Sequence, residues 1–194
     1  MRKRRLTNAS KSGIFLLHVR GGTPLEHCIF IHLDDELMVV NVTRRVLRHE
    51  DAEALSLRAI SDTSEAQVLR FADDLIERRA ARGILVVTHI RVAVAFLARM
   101  KLAADDGAVP ALRVGIISDG DLQASDRYTN GVEFLAGMRS DLGSRLTHAM
   151  LLSANDDLLA LAAQEGFHTE EKKCDLTAPS LIAWYRSFID GRPW

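Results

Sequence analysis

The residues of this chain whose types and placing suggest chemistry are Asp34-Asp35, Asp119, Ser153 and Lys173. Each stands where a short apolar run gives way to polar residues. Cys28-Ile-Phe-Ile-His-Leu33 runs into Asp34-Asp35-Glu36, and Leu112-Arg-Val-Gly-Ile-Ile-Ser118 runs into Asp119-Gly120-Asp121. His148-Ala-Met-Leu-Leu152 ends at Ser153-Ala154, residues 167–171 end at Lys172-Lys173, and residues 83–87 end at Thr88-His89. Short apolar runs bounded by Gly and Asp read as buried strands, and open parallel sheets bind ligands outside the carboxyl ends of their strands. Acids, a hydroxyl and an ammonium along one rim suit transfer of a phosphoryl group to a carboxylate. Hard oxygen ligands would hold one Mg²⁺, with Asp34, Asp35, Asp119 and Asp121 as the candidate set. Asp119 would attack in line, while the metal and the lysine neutralise charge on the equatorial oxygens. Ordinary roles compete: Asp119 can begin a turn, and Asp34-Asp35-Glu36 can open a helix whose positive end favours acids.

Positioning these residues takes alternating strands and helices. Helical patterns fall at residues 37–47 (Val39, Val42, Val46), at 93–100 (Ala93, Phe96, Leu97, Met100) and from Gly131 through Val132, Leu135 and Met138. Asn155 and Asp156 cap a helix to Glu165, which Gly166 closes. A last helix, about residues 179–189, buries Leu181, Trp184, Tyr185 and Phe188. Between residues 51 and 82 the pattern is helical, with Asp62 as a cap and Val68, Phe71, Ala72 and Leu75 as its stripe. In an alternative register, residues 55–61 form the second strand, 66–79 its helix, and 84–100 an additional strand–helix unit. Alternation of this kind demands crossovers and a parallel sheet covered on both faces, the doubly wound α/β class.

Composition bounds the rest. The chain has 194 residues, 47% hydrophobic and 26% charged, which suits one soluble domain, from about residue 28, with an N-terminal extension. A net charge of −1 gives no global pull toward nucleic acid or an anionic membrane. Cys28 and Cys174 make no disulfide framework, so a reducing, cytoplasmic setting is expected, and no apolar run approaches a membrane span.

In order along the chain, these strand ends resemble the response-regulator receiver domain. Leu33-Asp34-Asp35-Glu36 is similar to the receiver's metal-holding acidic pair, and Val114-Gly-Ile-Ile-Ser-Asp119 to its phosphorylated strand. Gly131 to Arg139 resembles the helix after that strand, and Leu151-Leu-Ser-Ala154 the strand with the switch hydroxyl. The spacing from Gly166 assigns the family's lysine role to Lys173 rather than Lys172. The resemblance implies a flavodoxin-like (CheY-like) sheet of about five strands, with an extra helical insertion at about 51–82. It further implies Mg²⁺, a phosphoryl-accepting Asp119, and Ser153 and Lys173 in the reaction. The partners it implies are a sensor histidine kinase or phosphotransfer protein and a downstream protein, and a homodimer is compatible with it. It makes the chain a signalling switch rather than a turnover enzyme.

The chain departs from that pattern at several places. Cys174 stands where the family has proline, Glu170 where it has an aromatic residue, and the loop after Asp119 is long. These departures motivate an alternative, an interaction module independent of phosphorylation. A third reading is a phosphatase of the haloacid-dehalogenase type, for which Asp119-Gly120-Asp121 would be nucleophile and acid. Gln123 and the early acidic pair count against it. His49 and Cys174 take ordinary structural roles, and His89 either lines the crevice or is an ordinary strand-end residue.

Overall fold

The computed structural model describes residues 26–36, 58–61, 64–78, 81–122, 127–172 and 178–194. Six strands form one sheet: β1 (His27–Leu33), β2 (Arg58–Ser61), β3 (Ala81–Val87), β4 (Leu112–Asp119), β5 (Leu146–Ser153) and β6 (His168–Glu171). All neighbours pair in parallel, in the order β2-β3-β1-β4-β5-β6. Five described helices connect or follow them: α1 (Glu65–Ile76), α2 (Ile90–Asp105), α3 (Gly131–Leu142), α4 (Asp156–Gln164) and α5 (Ala178–Asp190).

Leaving β2 aside, the remaining order reads as the flavodoxin-like 2-1-3-4-5. The doubly wound expectation therefore holds, with six strands in place of about five. The segment at 51–82 is more than a helical insertion: it carries β2 and α1, and it adds them at the sheet edge beyond β3. The strand that pairs with β1 is β3. Helix α1 is capped by Ser64, whose Oγ accepts the Gln67 amide at 3.3 Å; Asp62, the cap expected from sequence, lies outside the described residues. So do the helix expected at 37–47, His49, Gln123 and Cys174.

Strand residues alternate between two cores because side chains alternate across a sheet. Ile29, Ile31 and Leu33 join a core with α1 to α4, where the α1 stripe Val68, Phe71, Ala72 and Leu75 is buried, and Phe71 stacks on Phe96 of α2. Cys28 and Phe30 face the other core, with Tyr185 and Phe188 of α5. The connections that step from β2 to β3 and onward to β6 all place helices on the first face. One hand of crossover requires that for steps in one direction.

Gly115 shows how closely α5 approaches: a Cβ there would stand 2.8 Å from the Phe188 ring. Arg113 fastens the end of the same helix. Its guanidinium donates to the carbonyls of Phe188 and, at 3.0 Å, Ile189, and pairs with Glu26.

Candidate functional site

Strands β1 and β4 are neighbours, with Leu33 paired to Ser118. Asp34 and Asp119 therefore end adjacent strands in step. Chain connections diverge here, since β1 leads toward the β2 edge and β4 toward β5. A crevice opens at such a divergence. Asp34, Asp35 and Asp119 fill it, each offering a ligand atom, and these atoms lie within 4.8 Å of one another. Asp34 and Asp119 are buried and Asp35 is half-buried.

Among the described residues, one ammonium meets Asp34 and Asp119. Lys172 Nζ donates to Asp119 Oδ2 at 2.7 Å and to Asp34 Oδ1 at 3.2 Å, and stands 3.4 Å from Glu36 Oε1. Lys172 follows β6, two strands away from β4, so its stem must span the width of β5. Its amide fixes the start of that reach by donating to the Ser153 carbonyl at 2.8 Å. Among the described residues, the lysine at these carboxylates is Lys172, the neighbour of the one assigned from family spacing. Lys173 itself lies outside the described residues.

Electrostatics follow from burial and crowding. Burial, then the charge of Asp119, raises the Asp34 carboxyl from 3.8 to about 6, against the pull of Lys172. Asp35 is raised for the same two reasons. Burial works to lower Lys172, but its hydrogen bond to Asp119 and the charges of Asp34 and Asp119 outweigh that and hold it well above the usual lysine value. Beneath the crevice, His32 is fully buried in β1. Burial, then the charge of Lys172, lowers it to about 4, and neither ring nitrogen has a hydrogen-bond partner among the described residues.

Ser153 is buried at the end of β5. Its Oγ accepts the Asn155 amide at 3.0 Å and donates to Asp121 Oδ2 at 3.4 Å. Asp121, grouped with the metal ligands on sequence, stands beside Ser153 instead and is exposed; the group of three carboxylates excludes it. Its amide donates to Asp119 Oδ1 at 3.3 Å. His89 caps the start of α2 by position, is exposed, and stays outside the carboxylate group.

Two glycines set the backbone around Asp119. A Cβ on Gly120 would meet Ser153 Oγ at 2.5 Å, and one on Gly131 would meet the Asp119 carbonyl oxygen at 1.9 Å. Glycine at both places lets the start of α3 press against the end of β4, where the Gly131 amide donates to Gly120 O at 3.0 Å. Lys172, His32 and these glycines escaped the sequence reading. Lys172 carried a signal in the Lys172-Lys173 pair, and His32 in being an imidazole between Ile31 and Leu33 of an apolar strand.

The donor set fits a hard divalent cation. Asp34 Oδ2 accepts no hydrogen bond among the described residues, although Lys172 Nζ stands 3.1 Å away. Among the described residues, the three grouped carboxylates and Glu36 outnumber the single ammonium of Lys172, so negative charge is in excess there. Oxygen donors of this kind suit Mg²⁺, which binds through few carboxylates and keeps several waters.

No family model matches this sequence, and no curated protein matches it. Among solved structures, the chain is similar to de novo designed proteins determined by solution NMR. One, of the PLOOP2X3 fold, is 11% identical with a TM-score of 0.46, over 86% of this chain and 96% of that one. Two of the P-loop NTPase fold are 8% identical, with TM-scores of 0.42 and 0.43. They cover 86% and 84% of this chain and 92% and 91% of their own.

Proposed function

We propose that the chain is a phosphoryl-accepting signalling module of the receiver type. The observation that carries the reading is the crevice itself. Asp34, Asp35 and Asp119 bring ligand atoms within 4.8 Å of one another at the strand divergence, with Lys172 hydrogen-bonded to Asp119. In this reading Asp34, Asp35 and Asp119 hold Mg²⁺, which when bound supplies charge neutralisation for the phosphoryl oxygens. An Asp119 carboxylate oxygen attacks phosphorus, and the bond from phosphorus to a donor imidazole nitrogen breaks. The electron pair returns to that ring, the group of a sensor kinase or phosphotransfer protein. Lys172 offsets charge on the transferred group. Ser153, freed from Asp121, turns its hydroxyl to a phosphoryl oxygen. The readout is a changed protein–protein surface, as for other added charges that bias a bistable neighbour.

The test is Mg²⁺ with beryllium fluoride, a phosphoryl mimic, followed by chemical-shift mapping. Shifts centred on Asp119, Ser153 and Lys172, absent from Asp119→Asn, support the reading; no shift with Mg²⁺ present sinks it and favours the phosphorylation-independent interaction module. A different reading, a phosphatase, rests on Asp121 standing two residues after Asp119, although its carboxylate accepts from Ser153 rather than facing the crevice. Turnover of a generic phosphomonoester, lost in Asp121→Asn, would establish that activity.

A further inference from the structure

At the far end of β5 and β6 from the carboxylates lies a cleft of about 540 Å³, inside the roughly 300–1,000 Å³ range of small-molecule sites. His148, in its wall, precedes Ser153 by five residues, about 17 Å along the strand. The rings of His148, Phe167, His168 and Trp194 line it, with Arg139 beside them.

Most polar tips of these rings are turned into the protein. Trp194 Nε1 donates to the Trp184 carbonyl at 2.8 Å. His148 Nε2 bonds the Arg192 carbonyl at 2.6 Å, and its Nδ1 bonds Thr147 Oγ1 at 3.0 Å. His148 meets Trp194 edge-on, with centroids 4.9 Å apart. These walls therefore present ring faces and edges, which favour an aromatic guest.

Two groups remain to fix its orientation. The His168 ring makes no hydrogen bond among the described residues. The Arg139 guanidinium lies 4.4 Å over the Phe167 ring and donates to the Glu165 carbonyl and, at 2.8 Å, to its carboxylate. Both partners of that ion pair are about half exposed, at 46% and 47%. Such surface pairs contribute little, so a ligand carboxylate can replace that of Glu165 at small cost. A planar fork also matches a carboxylate in geometry.

We propose that this cleft binds a planar aromatic acid, its ring against the aromatic walls and its carboxylate taken by Arg139 and His168. It shares no residue with the carboxylate crevice, so either reading can fail without the other.

Calorimetric titration of the full chain with 2-naphthoate, 2-naphthylmethanol and 2-naphthylmethylamine tests it. The three share a ring and differ in charge. The acid should bind about tenfold or more tighter than the alcohol, the gain expected of a charge-assisted hydrogen bond. Arg139→Gln, a half-exposed position, should erase that preference, and Trp194→Ala should weaken every ligand. Equal binding of all three, preference for the amine, or no binding at millimolar ligand would overturn the proposal.

Discussion

Replacing Asp34 by Asn should make the chain more stable when no divalent metal is present. The Asp34 carboxyl is buried and raised from 3.8 to about 6, so the unfolded chain holds the charged form more comfortably than the fold does. At about 1.4 kcal/mol per tenfold change in proton affinity, the charged form costs the fold about 3 kcal/mol at pH 7. A raised carboxyl stabilises only while protonated, so this contribution is present below pH 4 and lost as pH rises through 6. Asn removes the charge and keeps an Oδ1 to accept the Glu36 amide, now bonded at 2.9 Å. A gain of about 3 kcal/mol corresponds to roughly 6–12 °C in Tm for a chain of this length.

His32 acts with the opposite sign. Lowered to about 4, it gives stability that is lost as pH falls from 6.5 toward 4, again about 3 kcal/mol. The two slopes nearly cancel in the parent chain. In Asp34→Asn the His32 slope stands alone, so stability should climb by about 3 kcal/mol between pH 4 and 7. The assay is urea unfolding across that range with chelator present, repeated with Mg²⁺, which should stabilise the parent and not the variant. An Asp34→Asn chain less stable than the parent at pH 7 without metal would refute this reasoning.

Lys172→Met should cost about 3–5 kcal/mol at pH 7 in chelator, because it leaves the buried carboxylates without their ammonium; urea unfolding reads this, and Mg²⁺ should recover part of the loss. Gly131→Ala should destabilise by about 2 kcal/mol or more, since the new methyl meets backbone, the Asp119 carbonyl. Gly137→Ala in the same helix meets first the Tyr128 ring, a side chain that can give where backbone cannot, and should cost about 1–2 kcal/mol, less than Gly131→Ala. Equal Tm values for the two glycine variants would contradict this assignment. Arg113→Met strips two carbonyl contacts from the end of α5, and hydrogen exchange should rise there before it rises in β1.

The strand ends were legible in the sequence because each is an abrupt change of chemistry. Leu33-Asp34 and Ser118-Asp119 leave an apolar run within one residue, and the parallel rule then puts them on one rim. Strand order was less legible. Residues 58–61 form only four residues of strand, and their place beyond β3 depends on pairing partners far along the chain. Counting from Gly166 points to Lys173, which lies outside the described residues; the reach of Lys172 depends instead on where β6 stops, at Glu171. Asp121 looked like a ligand by proximity in sequence; the turn at Gly120 carries it toward Ser153. His32 gave no periodicity signal at all, because an imidazole inside Phe30-Ile31-His32-Leu33 fits the apolar pattern by size.

The four-residue strand β6 supplies the crevice's cation from the rim of the sheet. Rim strands open more readily than central ones, and each opening that parts the Lys172 amide from Ser153 also withdraws the ammonium from Asp34 and Asp119. If the crevice takes a divalent ion as proposed, the charge that ion meets depends on how often this edge opens. Linkage makes this reciprocal: a divalent ion that claims the carboxylates loosens the hold on Lys172 and shifts the edge toward its frayed form. On the proposed reading, opening of the outermost described strand and cation affinity at the centre of the sheet would be two sides of one equilibrium.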